Sequence, residues 1–193
     1  MAVHTEARPI LGAHHVAYRC RDSAQTIWFY KDVLGLVDHT GICLDEVTGT
    51  GEKDPYMHLF FQMKNGDFIA FFDAPGSADP AWFDRKASFD MHLAFEVANE
   101  EDMLAMQERI KSFGISALGP VDHGLVRSVY MYDPNGIQVE VMCRTPQHDG
   151  IVARSIEAFD GVLADWQART RAQKEAKFGA EAIDRRSRQQ TAA

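Results

Sequence analysis

The stretch His15-Val16-Ala17-Tyr18 decides the fold, because the second half of the chain repeats it as His92-Leu93-Ala94-Phe95. Each copy is followed by a helical pattern and then by strand-like runs that contain a glycine turn. The turn is Asn65-Gly66 in the first half and Asn135-Gly136 in the second. Superposing the two turns sets Ala70 opposite Glu140. The pattern therefore predicts an α+β fold of two tandem βαβββ modules.

Alternation and capping signals give the elements within each module. Asp22 starts a helix that ends at Gly35, and Asn99 starts a helix that ends at Gly114. Further strands are predicted over 36–46, 56–63 and 67–73, and near 115–119, 125–132 and 137–143. We divide the chain into an N-terminal extension (1–10), two modules (11–75 and 90–144), a linker (76–89) and a C-terminal segment (145–193). That segment holds an amphipathic helix over about 149–177 and a disordered end from Arg185.

Composition narrows the class of protein. The chain is 46% hydrophobic and 25% charged, and its net charge of -8 comes without the basic stripe that nucleic-acid binding needs. The first residues lack a signal-peptide pattern, and no apolar run is long enough to span a membrane. Cys20, Cys43 and Cys143 lack the spacing of a disulfide framework or a zinc site. We therefore expect a cytoplasmic protein that binds neither nucleic acid nor a membrane.

The alternation also places three candidate metal ligands on concave faces. Bulky apolar residues of the strands turn towards the helices, which leaves His15, His92 and Glu140 on the opposite side. Two imidazoles and one carboxylate with open coordination positions suit Fe(II) in oxygen-using enzymes, and Mn(II) or another divalent metal would also bind them. A single strand histidine is more often a core or surface residue, and a glutamate near a turn is ordinarily solvated. The matched positions in the repeat favour a metal site, and we expect the three ligands to converge on one cavity.

These motifs resemble those of the vicinal oxygen chelate superfamily, which includes glyoxalase I, fosfomycin-resistance proteins and extradiol dioxygenases. The resemblance covers about residues 11–144. It is carried by His-His-Val-Ala-Tyr at 14–18, by the stretch 29–36, and by the turn 132–136 with Glu140. It implies that the two modules form a curved, partly closed mixed sheet around a metal site. It also implies that the protein is a homodimer.

The residue at position 70 indicates which reaction of the superfamily to expect. Glyoxalase I typically has a fourth protein ligand, a carboxylate, at this position. Alanine there favours an Fe(II)-dependent extradiol dioxygenase, which opens the ring of a catechol, such as a 2,3-dihydroxybiphenyl-like aromatic diol, with O2. Fosfomycin-resistance proteins also use two histidines and a glutamate. Two alternatives therefore stay open: another metal-dependent enzyme (a glyoxalase-like isomerase or a thiol-transferring resistance protein) and a metal-free protein that sequesters its ligand.

The resemblance implies that His123 and Tyr130 contact the bound substrate. It also places Asp67 where related dioxygenases have an acid/base histidine, and we expect His58 to take over that role. The alternatives are a solvent-exposed loop for His123, a core aromatic for Tyr130 and simple strand packing for His58. An aromatic wall for a flat substrate is expected from Phe60, Phe72, Trp82 and Phe83. The C-terminal helix either packs on its own domain or forms a dimer contact through Phe159 and Trp166.

Overall fold

The computed structural model describes residues 9–184, in two compact units that divide between Thr145 and Pro146. The predicted extension therefore falls largely outside the described residues, and the predicted disordered end from Arg185 lies wholly outside them. None of the described helices is both long enough and apolar enough to cross a membrane.

The first module follows the predicted order. Its strand β1 (His15–Arg19) leads into helix α1 (Ser23–Ile27), which continues directly as a π-helical turn over Trp28–Val33. Asp22 caps α1 by accepting a hydrogen bond from the backbone N–H of Gln25 at 2.7 Å. Strands β2 (His39–Leu44), β3 (Tyr56–Gln62) and β4 (Phe68–Asp73) complete the module.

The second module repeats this order after two short 3-10 turns, Pro75–Ser77 and Pro80–Phe83. It contains β5 (His92–Glu96), α2 (Glu100–Ser112), β6 (Leu118–Asp122), β7 (Val126–Tyr132) and β8 (Gln138–Arg144). Asn99 caps α2 through the backbone N–H of Asp102. The second unit consists of the long helix α3 (His148–Phe178) and the short helix α4 (Ala180–Asp184).

Strand pairing confirms the internal repeat at the level of individual residues. Each module forms a four-stranded mixed sheet, in the order β1-β4-β3-β2 and β5-β8-β7-β6. In the first sheet Ala70 pairs with Ala17 on one side and with Phe60 on the other. In the second sheet Glu140 lies in the same way between Ala94 and Tyr130. The superposition of Ala70 on Glu140 is thus correct, and Phe60 holds the same place in the first sheet as Tyr130 in the second.

Both sheets turn their apolar sides into one core. Leu59, Phe61 and Phe71 of the first sheet and Val129, Val139 and Val141 of the second belong to a single cluster with residues of the helices. The faces that carry His15 and His92 have the opposite parity, and both of these histidines are exposed. Because the core is shared, the two histidine-bearing faces of one chain point away from it.

Three local elements differ from the sequence prediction. The strand predicted over 36–46 is shorter, since β2 spans only His39–Leu44. The helix of the first module widens after Ile27, and the N–H of Leu34 donates to the carbonyl of Phe29, five residues back, at 3.0 Å. This turn buries Phe29, Tyr30 and Val33 together. The prediction of a strand over 115–119 was wrong by three residues, because Ile115 and Ala117 pack against the core as connecting residues before β6 begins.

Candidate metal centre and adjoining cavity

His92, at the start of β5, is oriented by a backbone carbonyl. Its Nδ1 lies 2.9 Å from the oxygen of Ser88, which can only accept a hydrogen bond. In the neutral imidazole Nδ1 therefore carries the proton, and the lone pair is on Nε2. Nε2 faces Glu140 on the neighbouring strand, at 3.7 Å from Oε2. An ion bound at about 2.0–2.2 Å from each ligand atom spans such a separation.

Glu140 is a buried carboxylate, with 7% of its surface exposed. Its Oε1 accepts a hydrogen bond from the hydroxyl of Ser128. His92 is the one positively chargeable side chain paired with it among residues 9–184. A buried carboxylate normally requires an ion pair or a bound metal, so the two donors and their orienting partners fit two positions of a metal site.

Tyr130 and His123 lie beside this pair. The Tyr130 hydroxyl is 2.8 Å from Nε2 of His123, and Tyr130 is the cross-strand partner of Glu140. Burial raises the pKa of Tyr130, and the negative charge of Glu140 adds to the rise. All four side chains, His92 included, line one cavity of about 580 Å³. The cavity thus combines two metal-ligating groups with a hydrogen-bonded pair that can hold or transfer a proton.

The first module carries the remaining predicted residues. His15 is exposed, and its ring contacts His58 and Phe60 at centroid distances of 6.2 and 5.8 Å. The imidazole of His58 lies between Phe60 at 4.1 Å and Phe72 at 3.8 Å. Burial lowers the pKa of His58, and the nearby His15 lowers it further. Its buried Nε2 has no hydrogen-bond partner among the described residues.

Within one chain the structure does not bring the three predicted ligands together. Over residues 9–184 no group of three or more His, Cys, Asp or Glu side chains could hold a metal ion. His15 and His58 lie on the first sheet, whereas His92, His123, Tyr130 and Glu140 line the cavity of the second. The physical reason is the shared core, which keeps the two histidine-bearing faces apart.

The residues of the predicted aromatic wall divide between the strands of the first sheet and the connection between the modules. Phe60 and Phe72 flank His58, as described above. Trp82 instead lines a separate cavity of about 250 Å³ with Tyr18 and Arg19, and the Arg19 guanidinium lies 5.4 Å from its ring. Phe83 does not line the cavity of the second module. Both belong to the connection between modules, where no strand alternation fixes the direction of a side chain.

Sequence reasoning did not assign Ser88 or Ser128 to the candidate site, whereas strand alternation already placed Gln138 on the concave face. Ser88 orients His92, Ser128 holds Glu140, and Gln138 lines the cavity as the cross-strand partner of His92. The repeat carried a signal for one of them, since Ser128 pairs with Met142 as His58 pairs with Phe72. The counterpart of His58 in the second module is therefore Ser128.

Comparison with known proteins identifies relatives of the fold. A family model, the Glyoxalase/Bleomycin resistance protein/Dioxygenase superfamily, matches residues 12–141. A glyoxalase/dioxygenase from Nostoc punctiforme is 26% identical, with a TM-score of 0.55, over 75% of this chain and 99% of that one. A glyoxylase/bleomycin resistance protein/dioxygenase domain from Frankia sp. EAN1pec is 18% identical, with a TM-score of 0.54, over 71% and 100%.

A third structure shares the fold alone. It is a point mutant of the genomically encoded fosfomycin resistance protein FosX from Listeria monocytogenes, complexed with Mn(II) and 1S,2S-dihydroxypropylphosphonic acid. It is 21% identical, with a TM-score of 0.52, over 73% of this chain and 98% of that one. No curated protein matches the chain. The family match ends before α3, so α3 and α4 lie beyond the domain that the matched family shares.

Proposed function

The chain belongs to the glyoxalase/bleomycin resistance protein/dioxygenase superfamily, and from this membership we propose that it is an Fe(II)-dependent extradiol dioxygenase. The proposed substrate is an aromatic diol, and both atoms of O2 enter the ring-opened product. The observation that carries the proposal is the hydrogen-bonded pair of Tyr130 and His123 in the cavity that also holds His92 and Glu140. A diol bound at a metal on His92 and Glu140 would have one of its oxygens beside the phenol of Tyr130 and the imidazole of His123.

The proposed metal site uses His92 and Glu140 of one chain and His15 of a second copy. His15 is exposed on its sheet and has the same place in the repeat as His92. These three side chains would hold Fe(II), which when bound would supply chelation of the diol and activation of O2. Ala70, where a fourth carboxylate would lie, is fully buried and donates nothing.

The remaining residues have distinct proposed roles. Tyr130 donates a hydrogen bond to a substrate oxygen, and its raised pKa keeps the phenol protonated at neutral pH. His123 accepts or returns a proton through the Tyr130 hydroxyl. His58 would arrive with His15 from the second copy, and its lowered pKa favours the neutral base. Phe60 and Phe72 would present flat apolar rings to the substrate.

A second feature supports self-association. The apolar residues Val152, Ile156, Phe159, Leu163 and Trp166 of α3 recur at alternating intervals of four and three residues, the pattern of a coiled-coil seam. The last four of them are between 41% and 72% exposed. A matching seam on α3 of a second copy would bury these side chains, and two half-exposed aromatic residues on each helix supply much of the contact.

The first test is oxygen uptake by protein loaded with Fe(II) without air and given a panel of catechols. Uptake matched one-to-one by a ring-opened product, and lost in Glu140→Ala, is the expected result. Glu101→Ala, which removes an exposed carboxylate from α2, is the matched control and should retain activity. No uptake from any catechol by protein with stoichiometric metal would reject ring cleavage and favour an isomerase or resistance enzyme.

The two-copy site has its own test. His15→Ala and Glu140→Ala should each abolish high-affinity metal binding alone. When the two variants are mixed and allowed to exchange subunits, half of the dimers are mixed and each has one intact site, so roughly a quarter of the sites recover. Failure to recover any metal binding in the mixture, despite demonstrated exchange of subunits, would exclude a site shared between copies.

A further inference from the structure

Two adjoining cavities extend from the candidate metal ligands to the guanidinium of Arg85. The cavity of about 580 Å³ that holds His92 and Glu140 has Leu118, Tyr130 and Gln138 in its wall. The same three residues line a second cavity of about 220 Å³, which also contains Tyr132 and Arg85. The shared wall makes the two cavities neighbouring parts of one binding surface.

We propose that Arg85 binds an acidic group on the substrate, so that the aromatic diol carries a carboxylate on an arm remote from its two hydroxyls. This inference rests on the proposed function for the diol end of the substrate. The acidic arm depends only on Arg85 and the residues around it.

The backbone at Arg85 is fastened to the turn between β7 and β8. The N–H of Lys86 donates to the carbonyl of Gly136 at 2.8 Å, and the Tyr132 hydroxyl donates to the carbonyl of Lys86 at 3.0 Å. The preceding carbonyls, of Phe83 and Asp84, lie so close to Gly136 that a Cβ there would meet them at 2.6 and 2.4 Å. The segment is therefore held in place beside the cavity.

The guanidinium of Arg85 has the chemistry of an anion site. Its central carbon lies 4.9 Å from the centre of the Tyr132 ring, a stacking arrangement that leaves the edge of the guanidinium free to donate. Among residues 9–184 it forms no ion pair or side-chain hydrogen bond, whereas Arg127 and Arg144 pair with Glu100 and Glu96. A planar guanidinium with free donors matches a carboxylate in two-pronged geometry.

The spacing sets the length of the substrate. Tyr130 and Tyr132 are two residues apart on β7, a distance of about 7 Å along a strand. The guanidinium lies 4.9 Å from the Tyr132 ring, so Arg85 is roughly 8–12 Å from Tyr130, at the metal-facing end of the cavity. One aromatic ring with a short alkanoate arm spans this distance. Leu118, Val121 and Leu125 give the first cavity apolar surface for the ring.

The experiment compares matched substrates that differ only in charge. We would measure kcat/KM for (2,3-dihydroxyphenyl)alkanoates with two and four methylenes in the arm, and for their methyl esters. The wild-type protein should prefer at least one acid over its ester by about 10- to 100-fold, as expected for a charge-assisted hydrogen bond. Arg85→Met should remove this preference through KM and leave the ester almost unchanged, and Arg85→Lys should keep part of it.

The matched control is Arg21→Met, which removes the same charge from an exposed guanidinium that bonds Gln25. It should preserve the preference for the acid. A preference that persists in Arg85→Met, or a wild-type protein that prefers the ester, would overturn the proposal.

Binding distinguishes this proposal from the proposed reaction. 5-Phenylpentanoate and 5-phenylpentan-1-ol carry no diol, so calorimetric titration of metal-loaded protein tests Arg85 even if no catechol is cleaved. About tenfold tighter binding of the acid, lost in Arg85→Met, supports the anion site whatever the reaction. Equal binding of the acid and the alcohol to the wild-type protein rejects it.

Discussion

The hydroxyl of Tyr30 should contribute measurably to the stability of the first unit. Tyr30 is fully buried, and its hydroxyl donates to Oδ2 of Asp133 at 3.1 Å. Asp133 is 5% exposed, and its Oδ1 accepts from the backbone N–H groups of Asn135 and Ile137 at 2.8 Å each. The hydroxyl therefore joins the helical segment of the first module to the turn that precedes β8, the strand that carries Glu140.

Tyr30→Phe removes one hydrogen bond to a charged group, which is worth about 1.5–3 kcal/mol. Oδ2 keeps a second donor, Nδ2 of Asn135 at 3.0 Å, so we expect the lower part of that range, about 1.5–2 kcal/mol. For a protein of this size the melting temperature should fall by about 3–8 °C. Urea unfolding at several pH values measures the change, and an unchanged m-value would show that only stability is altered.

The loss should depend on pH. Burial raises the pKa of Asp133 above 3.8, and the hydrogen bond from Tyr30 acts in the opposite direction. With a raised folded-state pKa, the stability given by protonation is present below the unfolded pKa and is lost as pH rises through the folded pKa. Removing the hydroxyl raises the folded pKa further. The destabilisation by Tyr30→Phe should therefore be larger at pH 7 than at pH 4.

The matched control is Tyr18→Phe. Tyr18 is partly buried, and its hydroxyl forms no hydrogen bond within the described part of the chain. It should change the free energy of unfolding by less than about 0.5 kcal/mol. If Tyr30→Phe matches this control, or if its effect is the same at pH 4 and pH 7, the Tyr30–Asp133 bond does not hold the two modules as we argue.

Three further predictions concern the site, the linker and α3. Ser128→Ala removes the hydrogen bond to the candidate metal-ligating carboxylate, and the metal affinity should fall about 10- to 100-fold in a calorimetric titration; an unchanged affinity would remove Ser128 from the site. Gly136→Ala should destabilise the protein by more than Gly66→Ala. Both glycines have positive φ, but only at Gly136 would the added Cβ meet the carbonyl oxygens of Phe83 and Asp84. Equal losses of stability would show that the connection between the modules moves to make room for the methyl group. Trp166→Asp should convert a dimer into a monomer in sedimentation equilibrium, and Ala168→Asp on the opposite side of α3 should not; a dimer that survives Trp166→Asp would exclude the seam.

The repeat explains how much of the molecule was predictable. Strand alternation predicted which face of each sheet carries His15 and His92. The glycine turns predicted that Glu140 and Ala70 hold equivalent positions in the two modules. Both are local properties, decided by the period of a strand and the length of a turn. The same reasoning expected the three ligands to converge within one cavity. It could not tell whether the modules of one chain form that cavity, because the way two sheets share a core depends on packing between distant residues.

Side chains outside the repeat were also beyond prediction. Ser88 and Arg85 lie in the connection between modules, where no alternation indicates a direction. Their roles depend on backbone hydrogen bonds to the turn at Gly136 and on a contact with Tyr132. The wide turn after Ile27 is a similar case, since it is set by the fit of buried aromatic rings. Tertiary contacts of this kind override local sequence preference.

The connection between the modules has no counterpart in the repeat, and this has an evolutionary consequence. Every strand of a duplicated fold pairs in register with its neighbours, so an insertion or deletion in a strand shifts its backbone hydrogen bonds and the faces of all its side chains. Ser88 and Phe89, by contrast, line the cavity from a turn that lies outside the strands. Natural variation in this segment can alter which molecules are accepted while the sheets stay intact. Related proteins with the same strands should therefore diverge in ligand preference first at this junction.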